Sequence, residues 1–153
     1  MKKIIVLILG AAFLGLLFWA VMMRGCSFTE RRYKKLYEDG QIKAEGRYRG
    51  GKPEGPYKLY YKNGQIKAEG SFEDGQREGI ANFYYKSGQL QSKGTFEDGK
   101  LEGPYKLYYK NGQIKEEGTY KDGKLEGERI RYAEDGSVIS VDNYKDGKKQ
   151  SAR

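Results

Sequence analysis

A step of 24 residues governs the chain from about residue 33 onward. Asn-Gly or a near equivalent recurs at Asp39-Gly40, Asn63-Gly64, Ser87-Gly88, Asn111-Gly112 and Asp135-Gly136. Other glycines keep the same step: Gly46, Gly70, Gly94 and Gly118; Gly51, Gly75, Gly99, Gly123 and Gly147; Gly55, Gly79, Gly103 and Gly127. These phases hold most of the 22 glycines, so glycine here is positional punctuation. A fixed period of this length implies an array of small units that must stack to bury anything.

One unit, Pro56 to Gly79, shows what the array is made of. Asn63-Gly64 predicts a two-residue type I′ hairpin turn, which takes positive φ at both central residues. Pairing across it sets Tyr61 against Ile66, Leu59 against Ala68 and Tyr57 against Gly70. One face then carries Tyr57, Leu59, Tyr61, Ile66, Ala68, Gly70 and Phe72. The other carries Lys58, Tyr60, Lys62, Gln65, Lys67, Glu69 and Ser71. A slip of one residue would invert both faces, so turn and pattern support one register. A glycine within a strand leaves a gap that a neighbouring ring covers, which assigns Tyr57 to Gly70. Asp74-Gly75 predicts the return turn and places Gly70 opposite Gly79.

The end copies depart from this pattern. The first has Lys35 on the apolar face, and the last has Arg129, Arg131 and Asp142. Such charges blunt the ends of a sheet and cap an array. Glu116 is the one acidic residue on the apolar face of its copy. The expected fold is all-β: five copies over 33–147, about ten antiparallel strands in an elongated meander. Short connections exclude parallel strands, which need long crossovers.

Tyr-Tyr-Lys-Asn-Gly-Gln-Ile-Lys-x-Glu-Gly, starting at Tyr60 and again at Tyr108, continues into x-Phe/Tyr-x-Asp-Gly and a later Glu-Gly. This pattern resembles MORN repeats, specifically the bacterial MORN-variant group, and covers about residues 33–147. The resemblance implies hairpins in an elongated sheet, and roles in scaffolding, dimerisation or membrane association. The family usually has His before the final glycine, where this chain has Glu54, Glu78, Glu102 and Glu126. The usual Trp is replaced by Tyr48, Phe72, Phe96 and Tyr120. Bacterial members often bear an antitoxin label, so the alternative function implied is neutralisation of a toxin by direct binding.

Composition narrows the chemistry. With one cysteine and no histidine, the chain has no internal disulfide, no Cys/His metal site and no Ser-His or Cys-His nucleophile. Its carboxylates recur with the repeat and form no unique cluster, so neither enzymatic activity nor a cofactor is expected. The net charge of +8 is spread among interleaved acids and bases. That describes solvated faces, and nucleic acid is not an expected partner.

Residues 1–26 read as a membrane anchor or signal segment, 27–32 as a linker and 148–153 as a basic tail. Ile4 to Met23 is uncharged and, at ~1.5 Å per residue, matches a bilayer core. A cleaved signal has a shorter apolar core of about 7–15 residues, so an uncleaved anchor is expected. Gly25-Cys26 also resembles the end of a lipoprotein motif, which makes Cys26 a lipidation candidate, although Arg24 fits that motif badly. Arg24, Arg31, Arg32, Lys34 and Lys35 outnumber Lys2 and Lys3, which favours a cytoplasmic array. The Met1-Lys2-Lys3 start followed by an apolar run instead resembles an export signal. On balance the repeats are expected outside the cytoplasm, at the cell envelope.

Two surfaces are candidates for binding. Tyr60, Tyr84, Tyr108 and Tyr132 recur on the charged face, with rings two strands or roughly 10 Å apart. Lys67 is expected over Tyr60 and Lys115 over Tyr108, as cation–π pairs. This row suits an extended glycan or peptide. The apolar face, with Tyr61, Tyr85 and Tyr109, suits a protein partner or self-association, because a single-layer sheet leaves it open.

Overall fold

The computed structural model describes residues 29–151. The expected N-terminal helix and Cys26 lie outside them. The first repeat is β1 (Arg31–Leu36) and β2 (Ile42–Arg49). There follow β3 (Lys52–Pro53), β4 (Gly55–Tyr60), β5 (Ile66–Glu73), β6 (Gln76–Tyr84), β7 (Leu90–Glu97) and β8 (Lys100–Tyr108). The array ends with β9 (Ile114–Lys121), β10 (Lys124–Tyr132), β11 (Val138–Lys145) and β12 (Lys148–Lys149). They form one 12-stranded antiparallel sheet in chain order, with β3 beside β2 off the main path. Two strands exceed the expected ten. Glu54 separates β3 from β4, and Lys148–Lys149 of the expected tail folds back on β11.

The Asn-Gly turn departs from the sequence expectation of a two-residue type I′ turn. At Asn63-Gly64 only the glycine has positive φ, at 82°. The Gly64 N–H donates to the Tyr61 carbonyl at 3.0 Å, and the Tyr61 N–H donates to the Gln65 carbonyl at 2.9 Å. This is a three-residue loop ending in a left-handed glycine. The Asn63 side-chain oxygen accepts the Gln65 N–H, which anchors this longer alternative to type I′. The two-residue type I′ turns lie on the other margin, where Asp74 (φ 48°) and Gly75 (φ 89°) both have positive φ, as do Asp98-Gly99, Asp122-Gly123 and Asp146-Gly147.

The longer loop pairs Tyr60 with Ile66, where the sequence placed Tyr61. A β-bulge at Lys67 absorbs the extra residue, and the expected partners Leu59↔Ala68 and Tyr57↔Gly70 are restored. A second irregularity corrects the Gly70–Gly79 pairing. Ser71 pairs with Glu78 but Glu69 pairs with Asn82, so β6 carries extra residues opposite Gly70. Gly79, with φ 73°, takes up the bend, and Gly70 comes to lie against Ala81.

The sheet is a single layer, and no side chain in it is fully buried. Its core is a line of small and aromatic residues on one face: Ala44, Tyr57, Ala68, Ala81 and Tyr105. Tyr57 covers Gly70, where an added Cβ would sit 3.1 Å from the ring, and Tyr105 covers Gly118 at 3.0 Å. Tyr57 also packs on Phe72 at 4.7 Å, Tyr105 on Tyr120 at 4.8 Å and Tyr33 on Tyr48 at 4.8 Å. Three of the repeats thus share a unit of a glycine, the ring over it and a second ring beside that, whereas Leu101 lies over Gly94 and Asp142 replaces the glycine of the last repeat.

Candidate binding surfaces

Both margins of the sheet are tied from one repeat to the next. On the Asn-Gly side Tyr37, Tyr61, Tyr85 and Tyr109 each donate their hydroxyl to the carbonyl of Tyr60, Tyr84, Tyr108 and Tyr132, at 2.6–2.8 Å. Three of the seven candidate tyrosines, Tyr61, Tyr85 and Tyr109, therefore have their hydroxyls committed within the array. Lys67 lies over the ring of Tyr61 at 5.8 Å and Lys115 over Tyr109 at 5.6 Å. The expected stacking on Tyr60 and Tyr108 is corrected, because the bulge at Lys67 removes it from register with Tyr60.

On the Asp-Gly side the glutamates that replace the family histidine have a structural role. Glu54, Glu78, Glu102 and Glu126 each accept the N–H of the aspartate in the next turn, at 2.7–3.2 Å. That N–H belongs to a residue held at positive φ. Arg49 pairs with Glu54 as well. The turn and the Arg49 ion pair both hold the Glu54 carboxyl below its ordinary range, the backbone hydrogen bond contributing most.

The charged face carries the other four tyrosines. Tyr60 donates to Glu45 at 2.6 Å, Tyr84 to Glu69 at 2.7 Å and Tyr132 to Glu117 at 2.7 Å. The bond to Glu45, reinforced by partial burial, pushes the Tyr60 hydroxyl up to about 12. Burial first, then Glu69, raises that of Tyr84. Glu117 also pairs with Lys106 at 2.7 Å, and Lys106 is the main reason its carboxyl is held low. Sequence reading missed these acceptors. The signal was present in the phase Glu45, Glu69, Lys93, Glu117, in which Tyr108 alone meets a lysine.

On the apolar face Glu116 has a local purpose. The Tyr105 hydroxyl donates to it at 2.6 Å. Burial and this carboxylate together raise the hydroxyl well above its ordinary range. The residue equivalent to Glu116 beside Tyr57 is Ala68, and the Tyr57 hydroxyl has no partner among the described residues. Among the described residues no three carboxylates gather as a metal-binding group.

A family model for the MORN repeat variant matches four tandem stretches, 53–74, 77–98, 101–122 and 125–146, which is more than half of the chain. The chain belongs to the MORN repeat variant family. Each match begins at the second residue of a strand, crosses the Asn-Gly loop or its equivalent, and ends at the aspartate of the Asp-Gly turn. The β1–β2 hairpin precedes the matched stretches and repeats their pairing, with Tyr33 opposite Gly46 and Lys35 opposite Ala44. No curated protein matches the chain. MORN repeats are generally associated with protein or membrane binding.

Proposed function

We propose that this MORN-variant array is a non-enzymatic, membrane-tethered module that binds or scaffolds a partner protein or an extended polymer at the bacterial envelope. The single-layer sheet carries the reading. Both faces are open, both margins are locked, and the side chains between them recur at fixed intervals. Half-buried rings such as Phe72, Phe83 and Phe96 recur as a strip on the apolar face, with the Arg77 guanidinium over Phe83 at 5.8 Å and over Phe96 at 5.4 Å. A strip of that kind is an interaction surface by default. The tether is the apolar run Ile4 to Met23.

The test places a photocrosslinking residue at Phe96 on the apolar face, or at Thr95 on the charged face, of the full chain in its native membrane. A discrete adduct from one face is the expected result. No adduct from either face overturns the reading. Protease added to intact cells should cut the repeats if they lie outside the cytoplasm, and protection would overturn the envelope placement.

A further inference from the structure

The tyrosine row on the charged face is broken at one place. Three hydroxyls donate to a glutamate of the preceding repeat, Glu45, Glu69 or Glu117. The corresponding residue for Tyr108 is Lys93. Lys93 is exposed, and it pairs in register with Asn82 on β6 and Lys106 on β8, so neither strand offers it an acid. Lys106 is engaged by Glu117 at 2.7 Å. From β1 to β5 cations and carboxylates alternate along this row, in Lys34↔Glu45, Glu45↔Lys58 and Lys58↔Glu69, and Lys106↔Glu117 repeats the pairing on β8 and β9. Like charges directly opposite each other destabilise a strand pair. The Lys93–Lys106 step thus lacks the carboxylate that its sister repeats supply from within.

We propose that Lys93 and the Tyr108 hydroxyl receive a carboxylate side chain from an acidic, extended segment of a partner protein. This deepens the scaffold reading and rests on it. The incoming carboxylate takes the place that Glu45, Glu69 and Glu117 fill elsewhere, accepting from the tyrosine and pairing with the ammonium. A free small carboxylate would gain little, because an exposed ion pair contributes only about 0.2–1 kcal/mol. A peptide adds contacts along the row, with the amide of Asn82 on one side and the exposed stem of Lys93 on the other. Charge complementarity at this step selects an acidic sequence over a neutral one.

The test measures binding of a fluorescent oligoglutamate peptide to the full chain in detergent by anisotropy. Oligoglutamine and a phosphoserine peptide are the comparison probes. Lys93→Glu restores the repeat pattern, so it should weaken oligoglutamate binding by about tenfold or more. It should also raise the melting temperature, because the new carboxylate accepts from Tyr108 and pairs with Lys106. Lys58→Gln, in the same row but flanked by Glu45 and Glu69, should change binding by less than about twofold. Equal losses in both variants would show diffuse attraction and overturn the proposal. Equal binding of oligoglutamine, or tighter binding of the phosphoserine peptide, would overturn it too. If oligoglutamate does not bind while crosslinking still yields a discrete adduct, this inference fails and the scaffold reading stands.

Discussion

The hairpins β4–β5 and β10–β11 share a backbone plan and reverse its chemistry. In β4–β5 Tyr57↔Gly70 and Leu59↔Ala68 occupy one face and Lys58↔Glu69 the other. In β10–β11 the corresponding pairs are Arg129↔Asp142 and Arg131↔Ser140 on the first face, and Ile130↔Val141 on the second. A ring over a glycine has become an ion cluster. Asp142 is buried, with Arg129 at 2.9 Å, Lys149 at 2.6 Å and Arg131 at 3.8 Å. Pairing register is therefore set by turns and bulges, while the chemistry of each face is free to vary with position in the array. The interior repeats need the apolar strip to be continuous. In β10–β11 an ion cluster interrupts that strip, and Lys149 of β12 completes the cluster.

Exchanging the two solutions should produce the largest effect. Gly118→Asp puts the terminal residue into an interior repeat. Its Cβ would lie 3.0 Å from the Tyr105 ring and 3.2 Å from the Glu128 carbonyl, and backbone cannot yield as a side-chain tip can. The new carboxylate would also share a face with Glu116. A loss of about 3 kcal/mol or more is expected in urea unfolding. A loss below about 1 kcal/mol would mean that the ring over glycine is not what holds the interior repeats.

Asp142→Asn probes the terminal solution alone. Lys149 first, then Arg129, holds the Asp142 carboxyl below its ordinary value. Because the folded value is the lower one, the stabilisation is complete above the ordinary carboxylate value. It is lost as pH falls through the folded value. The variant should be less stable at neutral pH, and the two urea midpoints should converge below about pH 4. Midpoints that stay parallel through that range would remove the ion cluster as the reason for the cap.

The sequence period made the strands, the faces and the Tyr57–Gly70 pairing legible, because all three follow from side-chain alternation. What it hid was local. Asn63-Gly64 and Asp74-Gly75 are both strong type I′ dipeptides, and only the inter-repeat bonds separate them. Glu54 reaches the Asp74 N–H from the preceding repeat, and the Gly75 N–H donates to the Pro53 carbonyl at 3.1 Å. Those partners lie about twenty residues away and leave no mark in a four-residue window. The bulge at Lys67 follows from the loop length, so the misplaced lysine–tyrosine stacking was one error carried forward. Of the candidate tyrosines, the two columns were legible from spacing. Their hydroxyl partners were not, since one column uses backbone carbonyls and the other uses glutamates fifteen residues back.

The margins should respond more weakly than either face. Tyr85→Phe keeps the ring and removes one inter-repeat hydrogen bond, from the hydroxyl to the Tyr108 carbonyl at 2.7 Å. The expected loss is about 1 kcal/mol, the usual net value for one such bond. An unchanged urea midpoint would show that water replaces the hydroxyl at no cost and that the ring alone ties the margin.

The smallest effect separates two tyrosines that the repeat makes equivalent. Tyr57 and Tyr105 both cover a glycine, and Tyr105 donates to Glu116 while the buried Tyr57 hydroxyl has no acceptor among the described residues. Burying a hydroxyl without a partner costs free energy, and removing it restores that cost. Tyr57→Phe should therefore be neutral or slightly stabilising, by up to about 1 kcal/mol. Tyr105→Phe should destabilise, because it strips Glu116 of its donor on an apolar face. If both substitutions cost the same, the hydroxyls contribute nothing and the ring over glycine is the whole of the unit. If they differ in sign, the array tolerates an acid on its apolar strip only where a tyrosine answers it. Glu116 is then a specific companion of Tyr105, since Ala68 beside Tyr57 leaves the same ring with nothing to donate to.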